Sequence, residues 1–172
     1  MKILSGIYRG INIDTAKDVS YRPTKSRVRK SIFDVISPFD FSSVLDLFSG
    51  TGILGFESIS RGASAVTFVE KDAKSIRLLH RNREKFEGVP INVIKNKVEL
   101  FLNNTNDSFD LIFADPPYDY EDIKYLLIIN EIFKNNYIKS DGYLIIEHSS
   151  RKDFMKHPNF NKSKKYGDST LC

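Results

Sequence analysis

Four consecutive residues, Asp115-Pro116-Pro117-Tyr118, carry the most specific chemistry in this 172-residue chain. Two prolines fix φ and donate no backbone hydrogen bond, so the run is rigid and rich in carbonyl acceptors. An acidic acceptor precedes them and an aromatic ring follows. This set suits a planar substrate whose amine is conjugated with its ring and is therefore a poor nucleophile. Asp115 Oδ and the Pro116 carbonyl can each hold one amine hydrogen, which aims the nitrogen lone pair at an electrophile and favours pyramidal geometry. As positive charge grows on that nitrogen, Asp115 stabilises it. A strong general base is unnecessary, because the substituted amine is acidic and loses its proton afterwards. Tyr118 can stack on an extruded base.

A second constellation is Phe48-Ser49-Gly50-Thr51-Gly52-Ile53-Leu54-Gly55. Its glycines let the backbone approach a ligand, and amides at a helix start serve as donors. Gly50-x-Gly52-x-x-Gly55 fits a dinucleotide fingerprint, and Glu70 follows about twenty residues on, where a carboxylate can accept from both ribose hydroxyls. On this pattern alone a nicotinamide dinucleotide fits almost as well as another nucleoside cofactor.

These residues need a scaffold, and the apolar pattern supplies one. Strands are predicted over 43–48, 65–70, 91–95, 109–114 and 143–147, with helices over 53–60, after 70 to about 86, over 98–102 and over about 121–135. Short apolar strands alternating with helices indicate a parallel sheet covered on both faces. The fold class expected is α/β: a Rossmann-like, mostly parallel sheet, preceded by an N-terminal β-hairpin (2–5 with 11–14) and a helix over 25–36 capped by Thr24. On that helix Val28, Ile32, Phe33, Val35 and Ile36 form the expected buried side. The basic tail is expected to add antiparallel edge strands with Gly167-Asp168 at their turn. One domain spans 1–172, with a basic hairpin-and-helix segment over 1–37 and the core over 38–172. Asp46, Glu70, Asp115 and Glu147 all fall at or just after strand ends, where open α/β sheets bind ligands.

Charge is uneven: +6 over residues 1–30, −6 over 31–150 and +4 over 151–172. Basic ends on a slightly acidic body suit a polyanion, although the same distribution fits ends that simply aid solubility. Arg9, Arg22, Arg27 and Arg29 are the candidate phosphate ligands, with Thr24 capping the helix beside them. Arg27 and Arg29, two residues apart, cannot share one helix face. With 41% apolar residues the chain can bury a sizeable core. No apolar stretch approaches the ~20 residues of a membrane span. The single cysteine, Cys172, excludes a disulfide framework within one chain and fits a reducing cytoplasm. The three histidines lack metal-site spacing. His148, beside Glu147, is expected at the surface or behind the pocket.

The run from Asp46 to Gly52 resembles motif I of class I methyltransferases, an Asp-x-Phe-x-Gly-x-Gly pattern. Asp115-Pro116-Pro117-Tyr118 resembles the Asp/Asn-Pro-Pro-Tyr/Phe motif of amino-methyltransferases. These resemblances imply S-adenosylmethionine as cofactor, with Asp46 near its methionine ammonium and with Phe48, Gly50, Gly52 and Glu70 lining the same site. A nicotinamide dinucleotide has no such cation at its pyrophosphate. After the third strand the fold often has an acidic acceptor for the adenine amine, and Asn96 stands there instead. The motif serves adenine N6, cytosine N4, guanine N2 and even a glutamine side chain, and no large insertion provides a DNA target-recognition domain. Together with Gly6-x-Tyr8-Arg9-Gly10, Arg22-Pro23-Thr24-x-x-x-Val28-Arg29-x-x-Ile32-Phe33, Ile146-Glu147 and Tyr166-Gly167-Asp168, the chain resembles the RsmD family of bacterial 16S rRNA guanine-N2 methyltransferases over nearly its whole length. The family implies a cytoplasmic enzyme acting on 16S rRNA in an assembling small ribosomal subunit, without metal or membrane, and a monomer is expected. An adenine-N6 methyltransferase on DNA or RNA, and a non-catalytic nucleotide-binding assembly module, are the alternatives.

Overall fold

The computed structural model describes residues 1–15, 26–117 and 119–172. Strands β1 (Ser43–Leu47), β2 (Ala65–Glu70), β3 (Ile91–Lys95) and β4 (Phe109–Ala114) alternate with helices α2 (Ile53–Ser60), α3 (Ala73–Arg83), α4 (Val98–Leu102) and α5 (Asp122–Lys134), close to the expected bounds. Helix α1 covers Ser26–Val35. Strand β5 runs from Ile138 to Ser149, longer than its apolar stretch suggested. Its polar start at Lys139, Ser140 and Asp141 masks strand character, yet Ile138 pairs with Phe109 before a bulge shifts the register to Leu111 beside Tyr143. β6 (Lys164–Tyr166) and β7 (Ser169–Leu171) form the expected antiparallel hairpin at the edge.

The sheet order is β3-β2-β1-β4-β5-β7-β6. The first five strands are parallel to their neighbours, and β7 lies antiparallel to β5. Chain direction away from β1 reverses between β1 and β4, which makes their carboxyl ends the switch point. Alternation along the strands feeds two cores. On one face Val44, Phe68, Leu111 and Phe113 pack with Val28, Ile32 and Phe33 of α1 and Phe56 of α2. On the other face Leu45, Leu47 and Ile112 pack with Phe101 of α4 and with Tyr125, Ile128 and Ile132 of α5. Among the described residues no helix is long and apolar enough to cross a membrane.

The N-terminal segment folds back as expected but forms one isolated bridge, Lys2 to Asn12, instead of two strands. Its amides are drawn to α2. Leu4 N and Ser5 N donate to the two Glu57 carboxylate oxygens at 2.7 and 3.0 Å. Ile7 N donates to the Ser60 carbonyl, and Tyr8 N to Ser60 Oγ. Gly6, at φ 83, sits so close to α2 that a Cβ there would lie 1.6 Å from the Ser60 carbonyl oxygen.

Glu57 is fully buried, and it also faces Arg61 at 3.0 Å and Arg29 at 3.8 Å. Arg29 Nη2 in turn donates to the Lys2 carbonyl. Two sequence expectations for α1 therefore change places. Val35 is 43% exposed, whereas Arg29 is 1% exposed and points inward. Burying a charge requires a partner, and Glu57 supplies it from a helix 28 residues away. Removing one member of such a buried pair costs about 3–5 kcal/mol. Glu57→Ala is accordingly expected to lower the urea midpoint sharply and to speed amide exchange at Leu4 and Ser5 first, while an unchanged exchange pattern would contradict this anchoring role.

Candidate active site

The turn after β1 and the run after β4 leave adjacent strands and face one cleft of about 1620 Å³. The turn is held from several directions. Ser49 N donates to the Val69 carbonyl at 3.2 Å, and Gly52 N to the Ser49 carbonyl at 2.7 Å. Gly50 N donates to Glu70 Oε2 at 2.8 Å. Gly52 begins α2 in the left-handed region. Phe48 also has positive φ, at 57°, which for a bulky residue signals strain held by its surroundings. Gly55 answers a packing demand: a Cβ there would lie 2.3 Å from the Phe68 ring, so α2 could not approach β2.

Asp46 shares the Val44 face of β1 and points at α2, where its Oδ2 accepts from Gly55 N at 3.0 Å. Burial raises its carboxyl pKa well above the ordinary range; the Gly55 amide opposes this, and the nearby charges of Asp115 and Glu70 add to it. Glu70 and Asp115 line the cleft, whereas Asp46 lies behind the turn, buried against α2. Glu70 Oε1 accepts from Lys71 N at 2.7 Å and Asp72 N at 2.8 Å. With Gly50 N on Oε2, three of roughly four lone-pair sites of this carboxylate are engaged. Asn96 lines the same cleft; its N donates to the Glu70 carbonyl, and its side-chain oxygen accepts from Lys97 N. A nucleoside cofactor carrying a cation fits this donor set: a carboxylate at the end of β2 for sugar hydroxyls, backbone amides around a glycine turn, and the Asp115 carboxyl in the same cleft.

Asp115, Pro116 and Pro117 form the opposite lip, with Pro116 buried and Pro117 exposed. Tyr118 lies outside the described residues, as do Arg22 and Thr24. Tyr120, which the sequence reading passed over, braces this lip. Its N–H donates to the Pro117 carbonyl at 2.9 Å, and its hydroxyl donates to Glu99 Oε1 on α4. Its ring meets Phe48 edge-on at 5.4 Å. Burial, and then the Glu99 hydrogen bond, raise the phenol pKa, so it remains a donor at any physiological pH. An aromatic two residues beyond Tyr118 was the available signal, but nothing local pointed to its partner after β3.

The remaining wall comes from the end of β5 and the β6–β7 turn, where Glu147, Arg151, Tyr166 and Asp168 line the cleft. His148 is buried, with Nδ1 2.9 Å from the Ser149 carbonyl and Nε2 3.1 Å from Cys172 Sγ. Burial lowers its pKa, so the neutral ring donates from Nδ1 and accepts from the thiol. Of the candidate phosphate ligands, Arg27 is exposed on α1, four residues before Ser31, whose hydroxyl is hydrogen-bonded to Tyr166 of this wall. Arg9 is exposed too, but its turn docks at the far end of α2, about 12 Å along the helix from Gly52 by its rise. Arg29 is withdrawn from any phosphate by its burial against Glu57. Among the described residues no group of three or more His, Cys, Asp or Glu side chains could hold a metal ion.

Five parallel strands in the order 3-2-1-4-5, an antiparallel strand inserted beside the fifth, a glycine turn after β1 and an acidic-Pro-Pro lip after β4 define a class I methyltransferase fold. A hypothetical protein of Thermus thermophilus has this fold, with a TM-score of 0.84 and 28% identity over 99% of this chain and 96% of that one. An uncharacterized methylase of Rickettsia prowazekii is 28% identical over 99% of this chain and 95% of its own length. Ribosomal RNA small subunit methyltransferase D of Buchnera aphidicola subsp. Baizongia pistaciae is 33% identical over 86% of this chain and 75% of its own. The family described as conserved hypothetical protein 95 matches residues 1–172, and the chain belongs to it, the RsmD family.

Two outcomes follow from the geometry. Because burial raises the Asp46 pKa, its ionised form is penalised in the folded state at neutral pH, and that penalty disappears as pH falls to the ordinary carboxylate range of about 4. Asp46→Asn keeps an oxygen to accept from Gly55. It is expected to raise the urea midpoint at pH 7.5, by a margin that shrinks toward pH 4; a lower midpoint at pH 7.5 would refute this. Tyr120→Phe removes only the donor to Glu99, and faster amide exchange at position 120 with unchanged circular dichroism is expected. Unaltered exchange would mean that Glu99 does not hold the lip.

Proposed function

We propose that this protein transfers a methyl group from S-adenosylmethionine to the exocyclic N2 amine of a guanine in small-subunit (16S) rRNA. One observation carries the reading: Asp115 and Pro116 stand across a single cleft from the Gly50–Glu70 pairing, at the β1/β4 switch point. The relative in Buchnera, named for rRNA small-subunit methylation, supports the choice of RNA. An assembling small ribosomal subunit in the cytoplasm is the proposed setting, with the protein acting as a monomer.

When bound, the cofactor supplies an electrophilic methyl on a sulfonium centre. Glu70 is placed to accept from its ribose hydroxyls, the amides of residues 48–52 to meet its polar edge, Asp46 to favour its ammonium, and Asn96 to meet its adenine amine. Glu70 and Asp115, both lining the cleft, suit a ligand of positive charge. Across the cleft, Asp115 Oδ and the Pro116 carbonyl hold the two hydrogens of the guanine amine and direct its lone pair at the methyl. Charge developing on that nitrogen is stabilised by Asp115, and the proton then leaves the product amine. Tyr118 is assigned the face of the extruded base.

Removing a preorganised electrostatic group of this kind typically lowers turnover about 10²–10³-fold. Asp115→Ala is expected to lose methyl transfer to at least that extent with cofactor affinity, measured by calorimetry, changed no more than a few-fold. Nucleoside mass spectrometry after reaction with deproteinised rRNA and with small-subunit particles should give N2-methylguanosine. N6-methyladenosine would redirect the assignment to adenine, and normal turnover by Asp115→Ala at saturation would overturn it.

A further inference from the structure

Tyr166 is the point at which three segments of the cleft wall meet. It lines the cleft from β6, and its hydroxyl is hydrogen-bonded to Ser31 Oγ on α1. Lys164 lies two residues earlier on the same face of β6. Its Nζ is 3.4 Å from Ser31 Oγ and 5.5 Å from the centroid of the Tyr166 ring. Arg27 precedes Ser31 by four residues, so it occupies the same stripe of α1, and it is exposed. From the other side, Ser150 N donates to the Asp168 carbonyl at 2.8 Å, which lays the exposed Arg151 against the β6–β7 turn at the cleft mouth.

These three cations differ from the basic side chains beside them. Lys30 is paired with Asp34 at 2.7 Å, and Lys152 with Asp122. Lys165 alternates to the opposite face of β6. Among the described residues, no carboxylate lies within 4.0 Å of Arg27, Lys164 or Arg151. The acidic groups on the elements that carry this wall are Asp34 on α1, Asp141 and Glu147 on β5, Asp153 just after Arg151, and Asp168 in the β6–β7 turn; Asp34 is occupied by Lys30. Arg151 lines the cleft itself, while Lys164 and Arg27 stand outside its lining, one against Ser31 and Tyr166 and the other one helical turn before Ser31. Exposed cations without a carboxylate partner suit a ligand with spaced negative charges, and a nucleic-acid backbone is such a ligand.

We infer that Arg27, Lys164 and Arg151 form a phosphate-binding rim that takes the RNA backbone beside the target nucleotide, with Tyr166 as its fixed centre. The inference rests on the proposed RNA methyltransferase reading and adds to it which surface grips the strand. It assigns a role to β6, which the N-terminal arginines alone left without one. Through the Ser31–Tyr166 hydrogen bond it also ties the strand's position to α1.

Binding of deproteinised small-subunit rRNA, measured across a salt series, tests the rim. Arg27→Ala, Lys164→Ala and Arg151→Ala are each expected to weaken binding about 3- to 10-fold at low salt and to reduce the slope of log K against log salt by about 0.7–0.9. Calorimetric affinity for S-adenosylmethionine should not move. Arg83→Ala, which removes the same charge at the far end of α3, serves as control and should change the slope little. Rim variants that match Arg83→Ala in affinity and slope would overturn the inference, as would wild-type protein that does not bind the RNA. Methyl transfer by the wild-type protein, on the same RNA and on small-subunit particles, tests the parent reading separately. Transfer combined with rim-independent binding sinks the rim alone. Rim-dependent binding with no transfer to either substrate sinks the catalytic reading and leaves the rim standing.

Discussion

The hydrogen-bonded register between β1 and β4, with Leu47 beside Ala114, sets every distance in the cleft. Adjacent strands lie about 4.8 Å apart. The residues that follow these two, Phe48 and Asp115, must therefore emerge side by side, and their chains then diverge. One enters α2 and the other passes through two prolines toward α5. A one-residue slip would exchange the faces of β4, sending Phe113 into the wrong core and moving Asp115 away from the turn. The apolar alternation of both strands holds the register, so the cores on the two faces of the sheet are what aim the site.

Within that frame, negative charge is concentrated and then managed in different ways. Asp46 is buried, with one backbone donor, and carries an energetic penalty for ionisation. Glu70 is wrapped by three backbone amides. Glu57, deeper still, is neutralised by two arginines and holds the N-terminal segment against α2. Glu70 lines the cleft, Asp46 lies buried behind the turn, and Glu57 faces the N-terminal segment.

Much of this was legible in the residues. The acidic-Pro-Pro run, the glycine turn and Glu70 are local patterns attached to strand ends, and strand ends follow from apolar periodicity. What escaped was non-local. The inward turn of Arg29 depends on Glu57 in another helix, and nothing in the spacing of Arg27 and Arg29 says which one is buried. Tyr120 depends on Glu99, 21 residues earlier, on a helix that only the folded sheet brings near. The early start of β5 was hidden because exposed Lys139, Ser140 and Asp141 follow Ile138 at the bulge and break its apolar pattern.

The placement of Tyr120 has an optical consequence. The chain contains no tryptophan and eight tyrosines, so its near-ultraviolet signal is not overwhelmed by indole. One of those phenols stands between the two lips of the cleft, donating to a carboxylate and packed edge-on against Phe48. The protein thus carries a built-in chromophore at the edge of its cleft. A molecule entering the cleft changes the surroundings of that ring directly and can be followed without attaching a dye.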